Sequence, residues 1–327
     1  MSFAQETKNE LARFETEKNC CKLAEIASFI RMAGSIGLAG NGKFNIILKT
    51  ENAAVARHLK VLLSEYFQID PIVEYEEETN LSRGNVYVLR ITPDMRSEAI
   101  LRETGILMIK QGNNYISDGI YQGITRTKCC RKSYLRGSFL AAGTISNPEK
   151  SYQMEWRCAG EKMSKDLVRL VGTFDDLEAK MTKRGKYYIV YVKSSGYISD
   201  LLALMGAHSK VLELENVMIT KELRSEAVRL TNCDTANMDR IVSASERQIR
   251  DIKKIFEMKG ENFLPEKLRD VALARLANPE ASLTQLGEML SNPLKKSGVN
   301  NRLKKISEIA ENLAYRTKRV GKNRCED

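Results

Sequence analysis

Apolar and polar positions alternate along the chain in two blocks that follow the same plan. Each block opens with a run that is apolar at helical spacing, about 22–33 and 130–142, and ends at Gly34 or Gly143, residues suited to stopping a helix. A short strand and then a second one follow, the second at about 43–48 and 152–157. Next comes an amphipathic helix, about 51–66 with Val55, Leu59, Leu62 and Leu63 on one side, and about 160–171 in the second block. Two more strands come after it, the last at about 86–92 and 187–192. They are joined through the turn residues Ser82-Arg83-Gly84-Asn85 and Lys183-Arg184-Gly185. A final helix closes each block, about 94–103 and 194–205.

The two blocks are an internal repeat. Cys20-Cys21-Lys22 and Cys129-Cys130-Arg131 stand 109 residues apart, and the same offset brings Ala33-Gly34-Ser35-Ile36 onto Ala142-Gly143-Thr144-Ile145. Downstream the offset shortens to 101, matching residues 86–91 with 187–192 and Gly105 with Gly206. The pattern αββαββα, twice, predicts an α+β body made of two copies of one small unit, residues 1–108 and 109–210.

Beyond the repeat the pattern becomes helical only. Residues 213–226 and 237–258 read as two helices, the second with Ile241, Ile249, Ile252 and Ile255 on one face, so 211–262 is expected to be a helical connector ending in a hinge at 260–264. Residues 263–327 then read as an all-helical domain carrying a helix-turn-helix at about 282–315. Pro265 suits the first turn of a helix that stops at Asn278-Pro279. Ser282-Leu283-Thr284-Gln285 is a capping-box start for a short helix to Leu290, broken by Asn292-Pro293. Ser297 is expected to cap a longer helix with Val299, Leu303, Ile306, Ala310 and Leu313 facing inward, followed from Arg316 by a frayed basic tail.

Composition sharpens this picture. In 327 residues, 52 Lys+Arg against 42 Asp+Glu leave a net charge of +10, and a 43% apolar content excludes a wholly disordered chain. No apolar run approaches the roughly 20 residues that span a bilayer, and the charged stretch 1–15 has no apolar secretory region, which predicts a cytoplasmic protein with no membrane partner. The charge is concentrated. Between Lys295 and Arg324 there are ten Lys/Arg and two acids, a local excess of 10 − 2 = 8. Double-stranded DNA is the partner such a helix suits: Asn pairs with adenine edges and Arg with guanine edges, while Lys and Ser reach phosphates. The candidate DNA contacts are Thr284, Gln285, Lys295, Lys296, Ser297, Asn300, Asn301, Arg302, Lys304 and Lys305. A second basic set, Arg126, Lys128, Arg131, Lys132, Arg136, Lys183, Arg184 and Lys186, is a candidate for backbone contact by the body.

Catalytic chemistry is hard to find. Residues 37–43 spell G-x-x-x-x-G-K, but Phe44 stands where a phosphate loop needs a hydroxyl, and the segment leads into a strand, which predicts a glycine-rich hairpin turn. His58 and His208 lie in no recognisable nucleophilic triad, and Glu74, Glu76, Glu77 and Glu78 read as a solvated strand edge. The seven cysteines form no Cys-x-x-Cys pair and have no histidine at zinc-ligand spacing, so they read as reduced thiols, with no metal and no cofactor expected.

The repeated helices, residues 26–34 and 135–143, resemble the LAGLIDADG helices of homing endonucleases, whose architecture is also a duplicated αββαββα. That resemblance implies that Ala33 and Ala142 occupy the positions of the two metal-binding acids, so no catalytic residue is expected. The whole chain is similar to the WhiA family, most specifically at Asn232-Cys233-Asp234-Thr235-Ala236-Asn237 and Ser297-Gly298-Val299-Asn300-Asn301-Arg302-Leu303. This second resemblance implies a non-catalytic, nucleoid-associated bacterial regulator that binds promoter DNA through the helix-turn-helix. It would act in cell division, chromosome segregation and, where relevant, sporulation, with another transcription regulator or a sigma factor as protein partner. Two alternatives stay open at this point. One is a chromosome-organisation protein that binds DNA without controlling transcription, and the other a residual metal-dependent nuclease.

Overall fold

Helices and strands follow one another in the order the repeat requires. The computed structural model describes residues 1–40, 42–77 and 85–322, with the backbone alone for Glu77, Asn85 and 316–322. The chain divides into two compact units, Met1–Lys221 and Glu222–Asp327.

In the first unit, α1 (Phe3–Leu11) precedes a repeat of α2 (Asn19–Ala33), β1 (Gly34–Leu38), β2 (Phe44–Thr50), α3 (Ala53–Phe67), β3 (Ile72–Glu77), β4 (Asn85–Ile91) and α4 (Ser97–Glu103). A hairpin of β5 (Leu107–Lys110) and β6 (Asn113–Ile116) follows. The second repeat is α5 (Lys128–Ala142), β7 (Gly143–Ile145), β8 (Met154–Cys158), α6 (Glu161–Val171), β9 (Lys180–Arg184), β10 (Tyr187–Val192) and α7 (Ser195–Met205). Both four-stranded sheets are antiparallel and share one order, β1-β2-β4-β3 and β7-β8-β10-β9. The same order occurring twice is the duplication in three dimensions.

The glycine segment at 37–43 is the β1–β2 hairpin, with Leu38 opposite Phe44 and Gly40 and Gly42 at φ 83° and 72°. Glu74 and Glu76 on β3 pair with Arg90 and Lys49, as a solvated strand edge requires. Glu78 and the turn residues 82–84 lie outside the described residues, and Glu77 is described by its backbone alone. Two elements escaped the sequence pattern. α1 is a helix capped by Ser2, whose side chain accepts from the Gln5 N–H, and its Glu10 carboxylate accepts the first N–H groups of α8 (His208–Lys259) from Ser209 and Lys210. The β5–β6 hairpin turns through Gln111 and Gly112, at φ 52° and 79°, too short a signal to separate from a loop.

Helices α2 and α5 pack along each other in the centre of the unit, each buried on nearly every side. Small residues permit this approach. A Cβ on Gly137 would lie 2.1 Å from Ser28 Oγ and 2.5 Å from the Glu25 carbonyl oxygen. Gly137→Ala is therefore expected to destabilise this unit by about 1–3 kcal/mol through overpacking, read as a lower urea midpoint at unchanged m-value. Gly34 and Gly143 end the helices as anticipated, but in extended conformation, with φ of −82° and −84°. Their reason is space: a Cβ on Gly34 would stand 2.3 Å from the Ile30 carbonyl oxygen.

α8 corrects the expectation of two helices. Residues 208–259 form one uninterrupted helix, because the polar stretch between contains neither Gly nor Pro. Its threonines satisfy themselves locally, Thr231 and Thr235 donating to the carbonyls of Ala227 and Thr231.

The second unit comprises α8 from Glu222 onward, then α9 (Glu266–Ala277), α10 (Leu283–Met289) and α11 (Lys296–Lys322). Ile252 and Ile255 of α8 join Val271, Leu286, Val299, Leu303 and Ile306 in one core. Arg275, only 2% exposed, pins the segment after α9 by donating to the Ala281 carbonyl at 2.7 Å. The backbone of α11 continues to Lys322, where a frayed tail was expected from Arg316, and residues 323–327 lie outside the described residues.

Candidate nucleic-acid interface

α10, the turn after it and α11 carry the predicted contacts. The capping box of α10 is complete: Ser282 accepts from the Gln285 N–H and Gln285 Oε1 accepts from the Ser282 N–H at 2.8 Å. Gln285 is exposed, yet its amide oxygen belongs to that cap, while Thr284 beside it is exposed. Six residues, 290–295, connect α10 to α11, and they fold back over Gly287, whose carbonyl accepts from the Leu294 N–H at 2.9 Å. A Cβ on Gly287 would lie 2.0 Å from the Leu294 carbonyl oxygen, so the long turn depends on that glycine.

α11 starts at Lys296, two residues earlier than a Ser297 cap anticipates, so Ser297 lies in the first turn and is not the cap. Its N–H groups begin on the Lys295 carbonyl, which accepts from Gly298 and Val299. Val299, Leu303, Ile306 and Ala310 face the core. The opposite stripe, Ser297, Asn301, Lys304 and Lys305, is exposed, with Lys295 and Lys296 exposed at its start. Asn300 and Arg302 lie at the margins, half-buried, and Arg302 Nη1 donates to the Lys267 carbonyl at 3.2 Å. Hence the start of α11 presents the Asn301 amide and a row of ammonium groups to solvent.

In the first unit, the C-terminal ends of α2 and α5 open into a cleft of about 810 Å³. Ala33 and Ala142, which the homing-endonuclease resemblance sets at the positions of the metal-binding acids, line it. Lys8, Lys49, Arg157 and Arg184 line it as well, together with Glu51 and Glu155. Burial pushes the Lys8 ammonium down to about 8, against the pull of Glu51. Lys8, Lys49 and Arg157 escaped the sequence reading because they lie on three separate elements, with no local clustering to mark them.

The second basic set does not come together. Lys183, Arg184 and Lys186 are exposed on the β9–β10 hairpin, with Arg184 in the cleft. Arg126 is exposed in the loop before α5, and Lys128, Arg131 and Lys132 belong to the first turns of α5, the end remote from the cleft. Arg136 is a correction: at 2% exposure it cannot reach DNA. Its guanidinium donates through Nε and Nη2 to Glu25 Oε2 at 3.1 and 2.9 Å, through Nη1 to the Met205 carbonyl, and stacks 4.0 Å over the Phe14 ring. Glu25 also meets His58 Nε2 at 2.7 Å and accepts from Thr16 Oγ1. Burial works to raise the Glu25 carboxyl, but Arg136 and His58 outweigh it and hold the group below its ordinary value.

Three family models match the chain in order. They are the WhiA N-terminal LAGLIDADG-like domain over 19–107, the WhiA LAGLIDADG-like domain over 131–224 and the WhiA C-terminal HTH domain over 227–310. A "probable cell division protein WhiA" of Alkaliphilus metalliredigens is 42% identical over 95% of this chain and 98% of its own length. The chain belongs to the WhiA family. A relative of the same description from Alkaliphilus oremlandii is 44% identical over 96% of this chain and 98% of its own. The crystal structure of full-length DUF199/WhiA from Thermatoga maritima superposes with a TM-score of 0.59 at 26% identity, covering 95% of this chain and 99% of that one. The first unit is thus a LAGLIDADG-like body and the second a WhiA helix-turn-helix domain. Among the described residues, no helix is long and apolar enough to cross a membrane.

Proposed function

We propose that this WhiA-family chain is a non-catalytic, sequence-specific DNA-binding regulator of cell division and chromosome segregation, and of sporulation where its host sporulates. The observation that carries this reading is the exposed stripe Ser297–Asn301–Lys304–Lys305 on α11, held over a capped α10. α11 enters the major groove of promoter DNA. Asn301 reads a base edge, Arg302 reads a second after leaving the Lys267 carbonyl, and Lys295, Lys296, Lys304 and Lys305 hold phosphates. Ser297, Asn300, Thr284 and Gln285 flank this contact. The relatives' description as cell division proteins supports the cellular role. Alanines at the floor of the cleft support a body without nuclease activity. The cleft's basic rim, including Arg184, adds backbone contact, and the protein works in the nucleoid beside a second regulator or sigma factor.

The test is a mobility-shift comparison on the duplex selected by the full chain from a random pool. Asn301→Ala and Arg302→Ala are each expected to lose about 1–3 kcal/mol on the selected duplex and little on random DNA. Lys295→Ala is expected to weaken binding to both alike. Equal losses on both duplexes for the Asn301 and Arg302 variants would overturn base reading by α11. Crosslink mapping with transcript profiling of a deletion strain tests the regulatory role, since occupied sites without expression changes would identify a chromosome-organising protein instead.

A further inference from the structure

The paired cysteines that mark the repeat also meet in space. Cys20 and Cys21 are the second and third residues of α2, and Cys129 and Cys130 hold the same two positions in α5. Where the two helices begin side by side, the four Sγ atoms lie within 4.8 Å of one another. Cys21 and Cys130 are buried, Cys129 is half-buried and Cys20 is exposed, and all four are free thiols.

We infer that Cys20, Cys21, Cys129 and Cys130 form a structural zinc site that fastens the two repeats across the α2–α5 seam. Four thiolates are the donor set that a closed tetrahedral zinc takes, with no position left for substrate. Zn–S bonds of about 2.3 Å place tetrahedral sulfurs about 3.8 Å apart, so the cluster need contract by no more than about 1 Å from its 4.8 Å limit. An iron–sulfur cluster spreads its cysteines over several irons and fits this tight group less well. Both cysteine pairs sit in the first turn of a helix, where unpaired N–H groups and the helix dipole favour negative charge. Lys18 stands two residues before the first pair and Lys128 immediately before the second, and the Thr127 hydroxyl lies 3.2 Å from Cys129 Sγ. These groups offset the two net negative charges of a zinc tetrathiolate. On binding, each thiol releases its proton to solvent as its sulfur ligates, four protons for one Zn²⁺, with no change of oxidation state. Sequence spacing hides the site, because each repeat supplies adjacent cysteines and the halves lie 109 residues apart.

The full-length chain, purified under reductant and stripped with chelator, is expected to take up one zinc per chain. Cobalt in its place should produce thiolate-to-metal charge-transfer absorption together with intense tetrahedral d–d bands. Zinc should shield four thiols from a thiol reagent and raise Tm by several degrees. Cys20→Ser with Cys129→Ser, the two more accessible ligands, should abolish both the cobalt spectrum and the zinc-dependent Tm shift. The single variant Cys20→Ser repeats the test if the double variant does not fold. Cys233→Ser with Cys325→Ser should leave both signals intact. The inference is overturned if reduced full-length chain gives no thiolate–cobalt band, or if the cluster variants keep their zinc. It is equally overturned if freshly purified chain carries no metal and has a mass four hydrogens lower, which would identify two interhelical disulfides.

Discussion

Glu25→Ala is expected to destabilise the LAGLIDADG-like body by about 3–5 kcal/mol, because it leaves the Arg136 guanidinium buried with no counter-charge. Glu25 is 1% exposed and Arg136 2%, so neither water nor a mobile side chain can replace the lost partner. Arg136→Ala should cost a similar amount, by stranding the carboxylate. Replacing both with apolar residues of similar volume should recover much of the loss, the signature of a desolvated pair. Urea unfolding of the four proteins checks this, and a near-neutral Glu25→Ala variant would refute the account. The pH dependence has a defined sign. Glu25 titrates below its ordinary value of 4.5 in the folded chain, so it stabilises the fold above that pH, and the contribution disappears as pH falls through the lower folded value. Wild-type stability should therefore decline on acidification below about 4.5 more steeply than that of the doubly apolar variant.

Changing Lys295, Lys296, Lys304 and Lys305 together to alanine is expected to remove most DNA affinity while leaving the second unit folded. All four are exposed and none belongs to the core of α9, α10 and α11. Each phosphate contact adds about 0.9 to the slope of log affinity against log salt, so losing four should flatten that slope by about 3.6. Between 50 and 200 mM salt the wild type should lose about 100-fold more affinity than the variant. Titrations at four salt concentrations measure this directly. An unchanged slope would mean that the phosphate grip lies elsewhere, with the cleft of the LAGLIDADG-like body the next surface to test.

Much of the helix-turn-helix unit was legible in the residues, and the reasons are local. The capping box of Ser282 and Gln285, the stop at Asn278-Pro279 and the apolar period of α11 are short-range signals that operate within one or two turns. The orientation of single side chains was not legible. Arg136 reads as one more cation in a basic stretch, because its charge is visible in sequence while its partner, Glu25, is 111 residues away. Arg302 resting on the Lys267 carbonyl and Gln285 engaged in the cap are likewise contacts that helical periodicity does not encode. The two helices expected after the body became one, since a polar stretch without Gly or Pro costs a helix little.

The sequence by itself determined the duplication, the α+β body and the helical end that bears most of the positive charge. Periodicity, capping and repeat offset depend only on neighbours along the chain. Tertiary structure alone decided which charges face solvent, which cations share the cleft of the body, and that four cysteines from two repeats converge. In the body those outcomes depend on how α2 and α5 pack, and that packing joins residues more than a hundred positions apart.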